Sequence, residues 1–512
     1  MIGRPGVAAS ASNPWFLHSP ASSSPDPADD RPKAWKPCGM SDVDQSLDKG
    51  RRRLPGRGGA DYTEGPVAPH LLRLAGFMVM GFLSMNIAQL IEAVYLGFVG
   101  TEDLAALGFA FPLVMGVGAM ARGLGIGASS VIARTMGAGD RSQVARLVTH
   151  CEILVVAFSL LCVVLGFAYG EQLFAFMGAD GLVLVKATGY LDVYLIGLPL
   201  FLLSMVGTSL LRATGSPASP GLVMTFGSIM QVVISPFFIF GWAGLPAMGV
   251  VGAAWGFALA RTASFVLAFY LIAVRDRLIV ISLDNIGVSW RAILHVGLPA
   301  MTTNMLTPLS MGIIVWLLSE YGHGVIAGFN VAGRIEMMLA MVLISVSGAI
   351  GPFVGQNWGA GKFDRVEIAL GLSFRFCIAW GAFGFIVMLL AARPFVGLIN
   401  DDPVVVESAV AYLVIIPLSI GFMGWLQVAS SVFNALGKPA PPLILSILRG
   451  FVVYLPFAML GSYLLDYRGI YWAAAATNFL LGVVAWQWCR VTVARAIAVE
   501  TAEQVALNPG KA

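Results

Sequence analysis

Apolar positions along this chain gather into long unbroken blocks. Runs such as 153–168 and 191–211 carry almost no charge. Their lengths match the ~20 residues that a helix needs to cross a ~30 Å hydrocarbon core. Together with turn signals they predict twelve spans, near 70–98, 103–131, 145–170, 183–211, 219–241, 249–274, 293–319, 325–354, 366–391, 404–434, 441–462 and 469–490. Several exceed one crossing and imply tilt or projection beyond the bilayer. The short alternating segments of a membrane β-barrel are missing. The expected fold class is therefore an all-α polytopic membrane protein, because only helices and closed barrels satisfy their backbone groups in lipid.

Composition sharpens this picture. Hydrophobic residues make up 58% and charged residues 12%, the latter about half of the ~25% usual in soluble domains. Residues 1–69 depart from it, being rich in Pro, Ser, Gly, Asp and Arg without a signal-peptide core. That composition cannot bury enough apolar surface to fold, so a disordered extension is expected. "KGRRRLPGR" within it reads as a solvated basic tail, with contact to anionic headgroups the alternative. Met40 is an alternative start, which N-terminal sequencing would test. A net charge of +3 argues against a nucleic-acid partner, and five scattered cysteines without CxxC spacing suggest neither disulfides nor a metal site. With the N-terminus inside, the cytoplasmic loops and flanks hold eleven Lys and Arg and the opposite side holds three (Lys186, Arg393, Arg468). That asymmetry fits the positive-inside rule and checks the span count.

An internal repeat organises the spans. "LAALGFA" at 104–110 answers "IAGFNVA" at 326–332, "MGAGDRSQV" at 136–144 answers "WGAGKFDRV" at 358–366, and "LRATGSPASP" at 211–220 answers "FNALGKPAPP" at 433–442, all at an offset of 222 residues. Six spans per copy is an even number, so the copies share orientation and form two parallel six-helix lobes. The expected parts are a first lobe at 70–274, a cytoplasmic linker at 275–292, a second lobe at 293–490 and a cytoplasmic tail at 491–512. Two such lobes define a central cleft that can open to either side.

Glu92 stands inside the first span, in "IAQLIEAVYLGFVG". An ionised carboxylate there costs several kcal/mol unless it faces a wet cavity or is protonated. Helical spacing places Gln89 and Tyr95 on its face, which suggests a cavity lining; an interfacial Glu near "TED" at 101–103 is the plainer alternative. Arg334 and Glu336 sit in the eighth span without counterparts in the first copy. Either they pair across helices or they line the second lobe's cavity. Arg122, Arg261 and Arg449 read as helix-end residues that snorkel. Gln231, Asn304 and Gln427 read more simply as helix–helix hydrogen bonders than as substrate contacts. "GASSVIARTMGAGD" lacks the Lys-Ser/Thr ending of a phosphate loop, and its recurrence in the second copy makes it a Gly-rich helix end. Neither HExxH nor GxSxG occurs, so no enzyme is expected.

In these motifs, taken in order with the duplication, the chain resembles the multidrug and toxic compound extrusion transporters across roughly 70–490. The carriers are "EAVYLGFVG", "LAALGFAFP", "ARTMGAGD", "LLRATGSP", "GVVGAAW", "GQNWGAGKFDR" and "FNALGKPAPP". The resemblance implies twelve helices in two lobes and export of organic, often cationic compounds driven by inward H+ or Na+. It implies a bacterial inner-membrane location, no cofactor beyond the coupling ion, amphipathic small molecules and the bilayer as partners, and a monomer. The family's titratable Asp of the first span is here Glu92. The family's Asn and Asp of the fifth span are Gln231 and Ser235, and Phe257 replaces a Thr of the sixth, which weakens a Na+ site built on oxygen ligands. Thr307 and Gly424 stand near the places of the sodium branch's acids. Phe77 replaces a helix-bending proline, with Pro299 at the equivalent repeat position. What remains resembles the branch named for the DNA-damage-inducible protein. The implied function is H+-coupled antiport with Glu92 as the only deep carboxylate of the first lobe. A lipid or lipid-linked sugar flippase of the same superfamily is the alternative, with Arg122 and Arg334 as its support.

Overall fold

The computed structural model describes residues 62–507. Helices account for every crossing: α1 (Val67–Val99), α2 (Thr101–Gly137), α3 (Arg141–Phe176), α4 (Gly181–Ala213), α5 (Ser219–Ile239), α6 (Gly249–Phe269, running on through a π-helical turn, Tyr270–Arg275), α7 (Ile286–Ser319), α8 (His323–Gly359), α9 (Phe363–Gly397), α10 (Pro403–Ile415), α11 (Pro417–Ala435), α12 (Ala440–Ile447, extended by π-helical Leu448–Val452) and α13 (Tyr454–Leu507). Two of these differ from one helix per crossing. The span expected at 404–434 is broken into α10 and α11 by a bend of 52°, where Pro417 cannot donate to the helical ladder. Helix α13 reverses at Leu465–Asp466, where Asp466 takes φ 52°. Gly461 and Gly469 meet backbone to backbone beside that reversal. The stretch around it therefore makes two antiparallel crossings, and the described residues make the expected twelve in all.

The helix ends follow their glycines. Gly215 and Gly437, read from sequence as stops, adopt φ +93° and +73°, and the second glycine of each Gly-Ala-Gly, Gly139 and Gly361, adopts +84° and +69°. This is the left-handed residue that closes a helix C-terminus. Two readings shift at the termini. Residues 1–61 lie outside the described residues, but Tyr62 is fully buried and its backbone N–H donates to Gln356 Oε1 (3.3 Å), so the expected tail is anchored before α1 begins. At the other end α13 continues as helix through much of the stretch expected as a tail.

Each repeat copy builds its own apolar core, one around Leu124, Val148, Tyr194 and Leu210, the other around Leu343, Cys377, Val428 and Phe433. Equivalent helices join them: α1 packs on α8 and α7 on α2. The contact is graded along its length. On α2, added side-chain atoms at Gly108 and Gly116 would meet nothing, whereas at Gly123 and Gly127 they would strike the α7 backbone and at Gly137 that of α8. On α8 the space around Gly333 is open, while Gly348, Gly355 and Gly359 are pressed against α1 or α2. Hydrogen bonds between the lobes gather at the crowded end: Ser130 Oγ donates to Asn434 O, Arg134 Nη1 to Ala435 O, and Gln356 Nε2 to Ala213 O (2.7 Å). This is the arginine-rich end of the sequence count, called here the basic end. The cleft opens away from it.

Candidate functional site

Three helices of the first lobe bring three polar side chains into line. Glu92 projects from α1, Gln231 from α5 and Arg261 from α6. Gln231 Nε2 donates to Glu92 Oε2 (2.6 Å), and Arg261 Nη2 donates to Gln231 Oε1 (2.6 Å). An amide is the group for that middle position, since it presents a donor to a carboxylate and an acceptor to a guanidinium at once. Gln231 and Arg261 are 2% and 7% exposed, so both bonds lie where leaving either end unpaired is costly. Glu92 Oε1 is buried without a partner, and so is Arg261 Nε.

Aromatic rings shape the surroundings. The Arg261 guanidinium lies 5.0 Å from the Phe257 ring centre and 6.0 Å from that of Phe201, in reach of cation–π attraction. Tyr194 packs on Phe257 (5.5 Å) and stacks with Tyr190 (6.3 Å), and Tyr190 is within electrostatic range of Glu92. Gly227 makes room for the arginine: a Cβ there would meet Ser264 and stand 3.5 Å from Arg261 Nη1.

The sequence-predicted residues separate in the structure. Glu92, itself half-buried, is tied to the buried Gln231 and through it to Arg261. Gln231 joins it, but Ser235 does not. Its Oγ is buried without a partner in the α5–α6 seam, where Gly256 closes on it. Gln89 is exposed and outside the chain of bonds, and Tyr95 packs edge-on against Phe240 (5.9 Å). In the second lobe, Asn304 Nδ2 donates to its own helix at Ala300 O (2.7 Å), and Gln427 takes part through its backbone carbonyl, which accepts from Ser347 Oγ (2.8 Å). Arg334 is exposed, whereas Glu336 Oε2 accepts from Tyr412 Oη (2.6 Å). The two do not form a pair, because residues two apart point to different sides of a helix.

Three features escaped the sequence reading. Arg261 does not snorkel; it lies buried at the end of the Glu92 chain. Arg449, also expected at an interface, donates from Nε to Asn478 Oδ1 (3.1 Å) and is the countercharge nearest in effect to Glu336. Glu92 is not the only deep carboxylate of its lobe: Glu152, on α3, has a buried Oε2 without a partner. Its signal was the lone acid at the head of "CEILVVAFSLL".

Known proteins share this architecture. The family described as MatE matches residues 78–237 and 299–460, two stretches that reproduce the internal repeat. A FAD transporter from Shewanella oneidensis is 30% identical over 426 residues, covering 82% of this chain and 94% of that protein. The multidrug export protein MepA of Staphylococcus aureus is 23% identical over 441 residues, covering 83% and 94%. Among solved structures, the Vibrio cholerae MATE transporter VcmN in its bent form superposes with a TM-score of 0.80 at 26% identity, covering 84% of this chain and 98% of that one. A transporter of the MOP superfamily from Pyrococcus furiosus, described by a reversed polarity of its binding pocket, gives 0.78 at 26% identity, with 86% and 98% covered.

Proposed function

The chain belongs to the MatE family of membrane transporters, and from that premise we propose that it exports amphipathic organic compounds in exchange for protons by alternating access. The basic end faces the cytoplasm in this reading, as the positive-inside asymmetry favours. The cleft described above is then the outward-facing state of an inner-membrane protein with both termini inside.

One observation carries the coupling assignment: the chain Glu92–Gln231–Arg261. With Glu92 ionised its charge balances that of Arg261, and with Glu92 protonated the pair is net positive. A cationic substrate therefore binds better to the first form and is expelled by the second. A proton taken up from outside then releases cargo, which is the competition that antiport requires. Among the described residues Glu92 bonds to one amide and to no second carboxylate, a poor set for a hard cation such as Na+. Proteoliposomes without Na+ test this: an imposed pH gradient drives substrate flux in the wild type, and Glu92→Gln abolishes that dependence. Undiminished proton-dependent flux in Glu92→Gln overturns it.

Arg261 and the FAD transporter relative favour a second reading, in which the cargo is an anionic aromatic compound. The sign of the pH effect separates them. Binding of a cationic dye weakens on acidification, whereas an anion held beside Arg261 binds more tightly when Glu92 is protonated.

A further inference from the structure

The outer flank of the second lobe carries a groove of about 1160 Å³ between α9 and α13, floored by Trp425 of α11. That exceeds the roughly 300–1,000 Å³ of drug-sized ligand sites. Its floor is aromatic. Trp425 and Trp486 stack at 5.3 Å with Phe374 beside them, and Trp425 Nε1 is satisfied by Phe374 O (2.8 Å), so Trp425 presents an apolar face, while Gln487 adds an amide to the lining. The flanking helices expose Ile368, Phe376, Phe383, Phe479 and Val491, as helices facing lipid do.

Two arginines stand on this surface. Arg375 is exposed and makes no hydrogen bond or ion pair among the described residues. It lies nine residues inside the expected ninth span, about 13 Å along the helix. An unpaired guanidinium at that depth is costly and needs an anion or water to reach it. Arg490 lies 5.1 Å over the Trp486 ring, which leaves its N–H edge free. Glu367 is at the basic-end rim, about 12 Å along α9 from Arg375. The groove therefore has net charge +1 above an apolar floor.

We propose that this groove binds one anionic phospholipid from the leaflet at the basic end, its phosphate drawn in to Arg375 and Arg490 and its acyl chains lying over Trp486, Trp425 and Phe374. A guanidinium fork suits phosphate oxygens, and the aromatic floor suits acyl methylenes. The single net positive charge matches a headgroup of charge −1 and not a zwitterion. This assignment stands apart from the transport reading, since neither arginine touches the Glu92 chain.

The test uses the full-length protein in detergent, titrated with phosphatidylglycerol, phosphatidylethanolamine or glycerol phosphate, and reads lipid retained by native mass spectrometry and the unfolding midpoint. The wild type retains about one phosphatidylglycerol per chain and its midpoint rises with that lipid. Arg375→Gln with Arg490→Gln loses both effects, and Arg291→Gln, an exposed arginine on α7, keeps them. Gly371→Leu blocks the groove without touching a charge, since a side chain at Gly371 meets nothing within 4 Å; it loses retention as well, and it decides the question if the double variant fails to fold. Equal retention of phosphatidylglycerol in the groove variants overturns the proposal. So does equal retention of phosphatidylethanolamine, or a midpoint shift reproduced by glycerol phosphate alone.

Discussion

Adding one methyl group at Gly137 tests whether the packed basic end is one of two states. A Cβ there would stand 2.7 Å from the Gln356 carbonyl carbon and closer still to its oxygen. At Gly359 it would stand 2.9 Å from the Arg134 carbonyl carbon. Both pairs occupy equivalent repeat positions, so the two lobes grip each other reciprocally. Ordinary contact begins near 3.4 Å, so the Gly137 variant requires the ends to part by at least about 0.7 Å, and backbone atoms in a close-packed seam cannot rotate aside.

Overpacking of this kind costs about 1–3 kcal/mol, and only in the state where the ends touch. The helix-propensity gain of Ala over Gly, about 1 kcal/mol, applies to both states and cancels from their ratio. The expected shift is therefore roughly 5- to 150-fold toward the parted basic end. Spin labels on Ser142→Cys and Lys438→Cys, both exposed at that end, would read it as a growing long-distance population in a background without the native cysteines. Gly108→Ala on the same helix, with open space around it, should leave the distribution unchanged. If both Gly137→Ala and Gly359→Ala superimpose on the parent, the seam is a permanent weld and the alternating-access argument fails.

Gln231→Leu removes both bonds of the Glu92 chain. Intramembrane hydrogen bonds average ~0.6 and reach ~1.7 kcal/mol, and charged partners raise this toward ~1.5–3. An unfolding loss of about 1–4 kcal/mol is expected in mixed micelles. Combined with Glu92→Gln, the two effects should miss additivity by more than ~0.5 kcal/mol; additivity within that margin contradicts a direct bond. At the α2–α3 turn, burial pushes the Asp140 carboxyl up, but the Gln143 N–H, the Ser142 hydroxyl and the Arg146 charge outweigh it and hold it below the usual range. Its stabilisation is therefore present above the ordinary Asp range and lost as pH falls through the lowered value. Asp140→Ala should cost about 1 kcal/mol at neutral pH, and the gap to the wild type should close as pH falls below the ordinary Asp range; a gap independent of pH rejects the cap. Glu152→Met replaces a carboxyl with a buried unpartnered oxygen by an apolar chain of similar length. The unfolding midpoint should rise, by the equivalent of about 1–3 kcal/mol, and a fall would show that Glu152 has a partner in the membrane.

Most of the architecture was legible because its signals are local or periodic. Apolar block length marks a crossing, glycine and proline mark its ends, and a constant offset marks the duplication. The bend at Pro417 was not legible, because proline alone does not decide it: α4 contains Pro199 and continues unbroken. Glu92 was found as a lone acid in an apolar run, and Glu152 could have been found the same way. Arg261 was misplaced for a different reason. Its partner Gln231 is 30 residues away and that residue's other partner 139 away, so the bond depends on how α1, α5 and α6 rotate against one another. Gln89 and Tyr95 share the helical face of Glu92 but stand outside its chain of bonds, since helical spacing defines a face but not what the face meets.

The duplication and the chemistry follow different symmetries, and the difference bears on mechanism. The contacts that join the lobes are repeated faithfully: Gly137 and Gly359 are equivalent positions, as are the residues that they press. The acids are not. Ile314 stands at the repeat position of Glu92, Val114 at that of Glu336 and Phe374 at that of Glu152. A symmetric seam lets two similar bodies rock about one cleft with balanced packing in either state. An asymmetric set of charges lets a protonation in one lobe bias that balance without an equal and opposite effect in the other. Within that set Glu336 is bonded to a neutral Tyr412 hydroxyl inside its own lobe, whereas Glu92 hangs from an amide whose far end is held by a cation. In the proposed antiport cycle, loss of charge at Glu92 would leave Arg261 uncompensated in a low-dielectric site, as loss of charge at Glu336 would leave Arg449, so each lobe holds its own charge pair at positions the duplication does not relate.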